Sequence, residues 1–449
     1  MRLRRAIPTW LPTLLVAILL FVAVSWAKST DRITVYWFQV IQLAAITAIS
    51  ALGLNLIYGF NGQFSLGHIG FYAIGAYGSA LVTKDYMATW SGNPVGALSW
   101  MMAAQLGLVA VLGIVSGLRI GDRRKTLRAW ATKYVLPHEA RTITAVASLL
   151  MLMVIVAIGA AIAWVAQKAL LALLVATLLR LSQETAQPIL FALALLNGGT
   201  MAALISYLVG LPLLRLGSDY FGIATLGFAI MVYTALQNSD MVIETMKGAR
   251  GMVAIPRWTN WGWVFAGLVL ALILMRNLIY SSHGRAIKSV REDEIAAQSM
   301  GIDITRMKAL AFAFGGFFAG IAGGLYAHLY GFLHPSTFSL VRGFDPLIII
   351  VFGGLGSMTG TVVASAMFAL VIEGLRVVLP QGFEDWRFVI YPVLLLLVML
   401  LRQQGLLGTN EWGWLRAPLP PERDIPVPAR QPGTPQVVTA SVEEEISHA

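Results

Sequence analysis

Stretches of about 20 apolar residues, enough to cross a hydrocarbon core roughly 30 Å thick, recur along the whole of this 449-residue chain, and no other feature constrains its fold as tightly. Lipid offers the backbone no hydrogen-bond partner, so a spanning segment must satisfy its own N–H and C=O groups. The runs are long and do not alternate at period 2, which makes them helices and not barrel strands. The chain is therefore expected to be an all-α, polytopic integral membrane protein. Its composition agrees: 57% of residues are hydrophobic and 12% charged, against roughly 25% charged in soluble domains. With no cysteine, disulfides, thiolate catalysis and Cys-bound metals are excluded.

The expected spans are Thr9 to Ala27, Val35 to Tyr58, Phe64 to Thr83, Ser99 to Ile120, Thr142 to Ala166, Pro188 to Leu211, Asp219 to Leu236, Thr259 to Tyr280 and Ala309 to Tyr330. A stretch from Asp345 to Leu379, interrupted by "GGLGSMTG", and a last span from Trp386 to Leu401 bring the total to about 11–12 passes with broken or re-entrant helices. The basic, apolar N-terminus has the look of a signal peptide, but the many spans that follow favour an uncleaved first helix with Arg2, Arg4 and Arg5 in the cytoplasm. On the positive-inside rule, the basic loop around Arg119 to Arg141 then falls inside after four spans, and the segment around residues 283–308 falls inside after eight. This requires the apolar run from Ala169 to Leu181 not to cross, and it is read as an interfacial or extracytoplasmic helix. The formal net charge of +10 belongs to these orientation signals, and no nucleic-acid partner is expected. From Gln403 the chain turns Pro-rich and polar, a composition expected to stay disordered.

"GRAIKSVREDEIAAQSMGIDITRMKAL", Gly284 to Leu310, concentrates charge between two apolar runs. Asp293 suits an N-cap, Glu294 a first turn and Gly301 a left-handed C′ position, which together predict a short cytoplasmic helix. A helix of about seven residues is not stable alone, so it needs a surface to dock against. The basic residues could serve only to orient the flanking spans. The acidic cluster Glu292, Asp293 and Glu294 adds nothing to orientation, and composition leaves both readings open.

Four ordered motifs carry a resemblance. "GRAIKSVREDEIAAQSMGID" with "ALAFAFGGFFAGIAGGLYAHL", "GLNLIYGFNGQFSLGHIGFYAIGAYGSAL", "GLPLLRLGSDYFGIATLGF" and "IIIVFGGLGSMTGTVVASA" resemble the permease subunits of branched-chain amino acid ABC importers, the LivM-type family. The resemblance covers residues 35–85 and 188–402. It implies that Arg291, Glu292, Asp293, Glu294, Ala297 and Gly301 form a coupling loop that docks on an ATP-binding subunit. It also implies two ABC ATPase subunits that use ATP and Mg, a second homologous permease subunit that pairs with this one as a heterodimer, an extracytoplasmic amino-acid-binding protein, and a place in the bacterial cytoplasmic (inner) membrane among membrane lipid. The charge rule puts the N-terminus in the cytoplasm, and the C-terminus too where the stretch from Asp345 to Leu379 makes two passes or a re-entrant pair, but outside where it makes one tilted pass. This chain itself is expected to bind no cofactor and no metal and to carry no catalytic residue: it lacks G-x-x-x-x-G-K-[ST], so the energy must come from a partner. The expected organisation is an N-terminal anchor helix at 1–34, permease core at 35–89 and 188–402 with the coupling loop at 283–308, an insertion with a basic cytoplasmic loop at 90–187, and the tail at 403–449.

A free amino acid is a zwitterion, and a permease must offer each of its charges a partner without burying a full charge of its own. Broken helices do this with free backbone groups at their ends. "YGFNGQFSLGH" looks like such a break, with Asn61-Gly62 as a turn signal and Ser65 as a cap. "RLGSDYFG" is a second candidate. An offset of 157 between them pairs Gly53 with Gly210, Phe64 with Phe221, Gly70 with Gly227 and Phe71 with Phe228, which hints at an internal repeat. Asn61, Gly62, Gln63, Ser65, His68, Asp219 and Thr225 are the candidate translocation path; satisfying a buried carbonyl is the alternative role for His68. Most of the glycines at 67, 70, 75 and 78 suit close helix packing.

The expected function is thus the transmembrane permease subunit of an ATP-driven importer for branched-chain or hydrophobic amino acids. A permease for urea or short amides is the alternative within the same build. A self-sufficient ion-coupled transporter is the alternative from another class; it predicts charges inside several spans, where Glu373 and Arg376 are the main exceptions to neutrality.

Overall fold

The computed structural model describes residues 10–88, 95–117, 137–178, 183–214, 216, 218–378, 393, 400, 404–408, 411, 412 and 415. Among them the secondary structure is helical, apart from one antiparallel bridge between Met252 and Leu333. Helices α1 (Trp10–Ser29) and α2 (Val35–Asn55) lead into a π-helical turn at Leu56–Phe60, an extended stretch and α3 (His68–Ala88). Then come α4 (Gly96–Gly117), α5 (Pro137–Leu178), α6 (Gln183–Leu213), α7 (Ser218–Gln237) and α8 (Trp261–Tyr280). Two short helices, α9 (Ser282–Glu292) and α10 (Glu294–Ser299), precede α11 (Ile304–Tyr330), α12 (Leu340–Gly353) and α13 (Met358–Val378). Eight helices among the described residues are long and apolar enough to cross a membrane, and the protein is an all-α, multi-pass membrane protein.

Helix α11 is the hub, packing on α2, α3 and α6. Apolar side chains gain little by leaving lipid for another helix, so association depends on backbones approaching closely through small residues. Here a Cβ on Gly75 of α3 would lie 2.2 Å from the Gly320 Cα of α11, one on Gly323 would lie 2.0 Å from the Tyr72 carbonyl oxygen, and one on Gly198 of α6 would lie 2.6 Å from the Gly75 carbonyl oxygen. Three helices thus meet at backbone distance. Gly67 and Gly70 likewise face Thr225 and Phe228 of α7.

The two segments related by the offset of 157 lie side by side. Phe71 and Phe228, equivalent positions in it, stack with ring centroids 4.8 Å apart. Phe71 and Phe221 both meet the Phe312 ring of α11 edge-on, at 5.4 and 5.6 Å.

Several expectations change. The run from Ala169 to Leu181 is not a separate interfacial or extracytoplasmic helix: through Leu178 it continues α5, which is 42 residues long. Nothing between Ala166 and Ala169 breaks a helix, and Lys168 folds its ammonium over the Trp164 ring at 3.6 Å, which lets a charge sit in the run without ending it. At 1.5 Å per residue α5 is about 63 Å long, roughly twice a hydrocarbon core, so the run adds no crossing and the sidedness of everything after it is unchanged. The stretch from Asp345 to Leu379 is a pair: α12, whose 14 residues are too short to cross, turns at Gly354–Ser357 into α13, a full-length span. The last expected span, Trp386 to Leu401, lies outside the described residues except at Val393 and Leu400.

The compact unit extends to Leu415. Leu406 N–H donates to the Phe352 carbonyl at 2.9 Å, and the Glu411 carboxylate accepts from the N–H groups of Met358 and Thr359 at 2.6 and 3.0 Å, capping α13. The start of the expected tail at 403 is therefore packed; residues 416–449 lie outside the described ones.

Candidate functional site

The charged segment folds as expected around its caps and extends further. Ser281 Oγ accepts from Gly284 N–H at 3.2 Å and starts α9, where a Cβ on Gly284 would lie 2.2 Å from the Leu278 carbonyl oxygen, so glycine lets α9 turn tightly off α8. Ile287 and Val290 bury one face of α9. Lys288 lies over the rings of Phe60 and Tyr280 at 5.6 and 5.0 Å, and burial pushes its ammonium below the ordinary lysine range. Asp293 caps α10, its carboxylate accepting from Ile295 and Ala296 N–H at 2.8 and 3.0 Å, and Gly301 takes a φ of +82° beyond its end.

Helix α10 has two faces. Ala297 is buried against the bundle and seats the helix. Glu294 turns back to Lys308 at 2.5 Å, while Glu292 and Asp293 lie at the surface. Ile295 and Met300 project outward, 79% and 83% exposed. The sequence reading missed these two; their signal was a large apolar residue on each end of a short, charged loop helix, Ile295 inside it and Met300 just past its end.

Arg291 joins this loop to the first break and to the α12–α13 turn. Its guanidinium donates to the carbonyl of Gly59 in the π turn. Cβ atoms built on Gly62 and Gly356, at φ +76° and +86°, would lie 3.2 and 3.1 Å from the Arg291 side chain. The helix before the first break and the α12–α13 turn are in turn joined by Asn55, fully buried, whose Oδ1 accepts from Gly356 N–H at 2.9 Å and whose Nδ2 donates to the Ser357 carbonyl and Thr361 Oγ1, both at 2.8 Å. Beside them a niche of about 20 Å³ is lined by Gly62, Gln63, Leu216, Phe221, Glu294 and Lys308, bringing the α6–α7 junction to the same place.

Five of the candidate path residues make up the first break and its exit, and Thr225 packs against it from α7. Asn61, Gln63, Ser65, His68 and Thr225 are all buried, and Gly62 makes the turn. Asn61 Nδ2 donates to Gln63 Oε1 at 2.8 Å, and Thr225 Oγ1 accepts from Leu66 N–H at 3.1 Å, latching the extended stretch to α7. Asp219 lies in the first turn of α7, and its side chain is outside the described ones. His68 Nε2 is 2.8 Å from the Ser50 carbonyl oxygen. A carbonyl only accepts, so Nε2 carries the hydrogen and Nδ1 presents a lone pair. Nδ1, Asn61 Oδ1 and Ser65 Oγ are buried without a hydrogen-bond partner among the described residues. Three orphaned polar atoms within eight residues mark a place built for a polar visitor, water or solute.

A larger cavity, about 110 Å³, opens between α2, α3, α12 and α13 and is lined by Arg342, Asp345 and Glu373. Sequence reading passed over Arg342 and Asp345 because they stand just at and before the start of an apolar stretch. Among the described residues no three His, Asp or Glu side chains gather as a metal site would need.

A family model described as "Branched-chain amino acid transport system / permease component" matches residues 36–121 and 142–400. The chain belongs to that family. Of the stretch at 90–187 read as inserted, the family model omits only residues 122–141. The permease is 26% identical over 424 residues to the high-affinity branched-chain amino acid transport system permease protein LivM of Escherichia coli (strain K12), covering 87% of this chain and 73% of that protein. Against LivM of Salmonella typhimurium it is 31% identical over 243 residues, 46% of this chain and 55% of that protein. The same system's LivH of Salmonella typhimurium is 28% identical over 179 residues, 39% of this chain and 55% of that protein. No solved structure matches this permease.

Proposed function

We propose that this permease is the transmembrane subunit of an ATP-driven importer for branched-chain and other hydrophobic amino acids, and that the loop at 283–308 passes ATPase movement to its broken helices. The relatives are named as branched-chain amino acid permease proteins, and both LivM and LivH are among them, which supports a pair of homologous permease subunits. Two ATPase subunits that use ATP and Mg and an extracytoplasmic binding protein complete the assembly in the bacterial cytoplasmic membrane. Both termini of this chain face the cytoplasm. The chain carries no P-loop of its own, in line with energy arriving from outside.

One observation supports the coupling reading: Arg291, on α9 just before α10, donates to the Gly59 carbonyl and packs close by Gly62 and Gly356, so a displacement of the loop reaches the first break and the α12–α13 turn through a single side chain. Helix α10 is the docking element. Its outward Ile295 and Met300 offer an ATPase groove two apolar anchors, and Ala297 transmits the load inward.

Co-purification tests the docking step. ATPase subunits are expected to copurify with the wild type in lipid and to be lost with Ile295→Glu, while the permease itself stays folded. An Ile295→Glu complex that retains its ATPases at wild-type stoichiometry contradicts it.

A further inference from the structure

The cavity between α2, α3, α12 and α13 holds charges that the coupling account leaves unused. Its walls combine two chemistries. Leu43, Ile69, Ile349 and Phe368 make an apolar side, while Arg342 and Asp345 set opposite charges on it from α12. Residues three apart share a helix face, so the two charges stand one turn from each other. They stand too far apart for an ion pair, although the Arg342 charge acts on the Asp345 carboxylate, and among the described residues neither side chain makes a hydrogen bond. The third charge is already engaged: Glu373 accepts from Tyr36 Oη at 2.5 Å and lies 3.6 Å from Arg376. Arg342 is exposed in the first turn of α12 and Asp345 half-buried one turn further in, and a carboxylate carried into a membrane helix without an ion pair comes at a cost, which marks the pair as functional.

The ligand that answers this arrangement is a small zwitterion with a hydrocarbon side chain. Its carboxylate suits the Arg342 guanidinium, its ammonium the Asp345 carboxylate, and its side chain the wall at Leu43, Ile69 and Ile349. The site also adjoins the first break, since Ser50, whose carbonyl His68 holds, and Ile69, the residue after His68, both line it. We infer that Arg342 and Asp345 form a binding site for a free apolar α-amino acid inside the membrane domain, so that the permease itself, and not only a binding protein, recognises the zwitterion. This rests on reading the chain as an amino-acid permease.

Thr337 lines the cavity and the chain has no cysteine, so Thr337→Cys introduces its one thiol. In the full complex in lipid, alkylation of this chain's band by N-ethylmaleimide is timed with leucine, with leucinamide, which lacks the carboxylate, and with 4-methylpentanoate, which lacks the ammonium. Leucine is expected to slow alkylation roughly tenfold, the two analogues to leave it unchanged, and Arg342→Gln or Asp345→Asn in the same background to abolish the protection, as loss of a charged hydrogen bond would. Alkylation indifferent to leucine, equal protection by all three compounds, protection that survives both substitutions, or no alkylation even without ligand each overturn the site. Leucine uptake by the same vesicles, supplied with binding protein and ATP, is read separately. Uptake without protection overturns the site and leaves the permease reading standing, whereas vesicles that take up no leucine overturn that reading and the site with it.

Discussion

Arg291 satisfies the carbonyl of Gly59, 232 residues away in the chain. The carbonyls at the end of a helix have no partner within it, and the π turn at Leu56–Phe60 ends in such a place. Most chains leave these groups to water or to a glycine-based cap. Here the partner is a side chain on α9, the helix that leads into α10, so on the proposed coupling the integrity of the break depends on the position of the loop. That dependence is the physical content of coupling.

Asn55 ties α2 to the α12–α13 turn by three hydrogen bonds inside the bundle. Asn55→Ala leaves the Gly356 N–H without its partner, while the Ser357 carbonyl keeps the Thr361 N–H and hydroxyl, at a cost of about 1–3 kcal/mol. Thermal unfolding of the variant in lipid should begin at a clearly lower temperature. An unchanged melting curve is incompatible with the network as described.

Gly75 and Gly227 make a contrasting pair. A Cβ on Gly75 meets the backbone of Gly320 at 2.2 Å, and the backbone cannot rotate away, so Gly75→Ala must separate α3 from α11 at about 1–3 kcal/mol. Nothing lies within 4 Å of a Cβ on Gly227. Gly227→Ala should be neutral or stabilise α7 by up to about 1 kcal/mol through helix propensity. Measured side by side, the two substitutions should move stability in different directions or by very different amounts.

Glu411 holds the first turn of α13 through the N–H groups of Met358 and Thr359, and Thr359 Oγ1 donates to it as well at 2.5 Å. Replacing it with alanine removes an N-terminal cap worth about 1–2 kcal/mol and frees the strap from Gln404 onward. Limited proteolysis should then cut near residues 404–415 faster than in the wild type; equal rates would show that the cap does not hold the strap.

How much of this was legible in the sequence differs from element to element. The spans follow from hydropathy because lipid leaves the backbone no alternative. The caps at Asp293 and Gly301 were readable because capping is a matter of neighbouring residues. The continuity of α5 was not, since Lys168 looks like the end of a span until its ammonium is placed over Trp164. Arg342 and Asp345 were hidden for a similar reason: hydropathy divides a chain at charges, and so it puts charges at the edges of spans whether or not they line a cavity. The link from Arg291 to Gly59 joins distant parts of the chain, and no local pattern encodes it.

The most direct measurement of the central claim is ATP hydrolysis together with leucine uptake by the complete complex in lipid, with binding protein added, comparing wild type with Arg291→Ala. The side chain is partly exposed, so its hydrogen bond contributes only about 1 kcal/mol to folding, and ATPase subunits should still copurify. Uptake should fall roughly tenfold while basal ATP hydrolysis continues and loses its stimulation by loaded binding protein, because the motor turns without moving the breaks. An Arg291→Ala complex with wild-type uptake and wild-type stimulation would contradict the account.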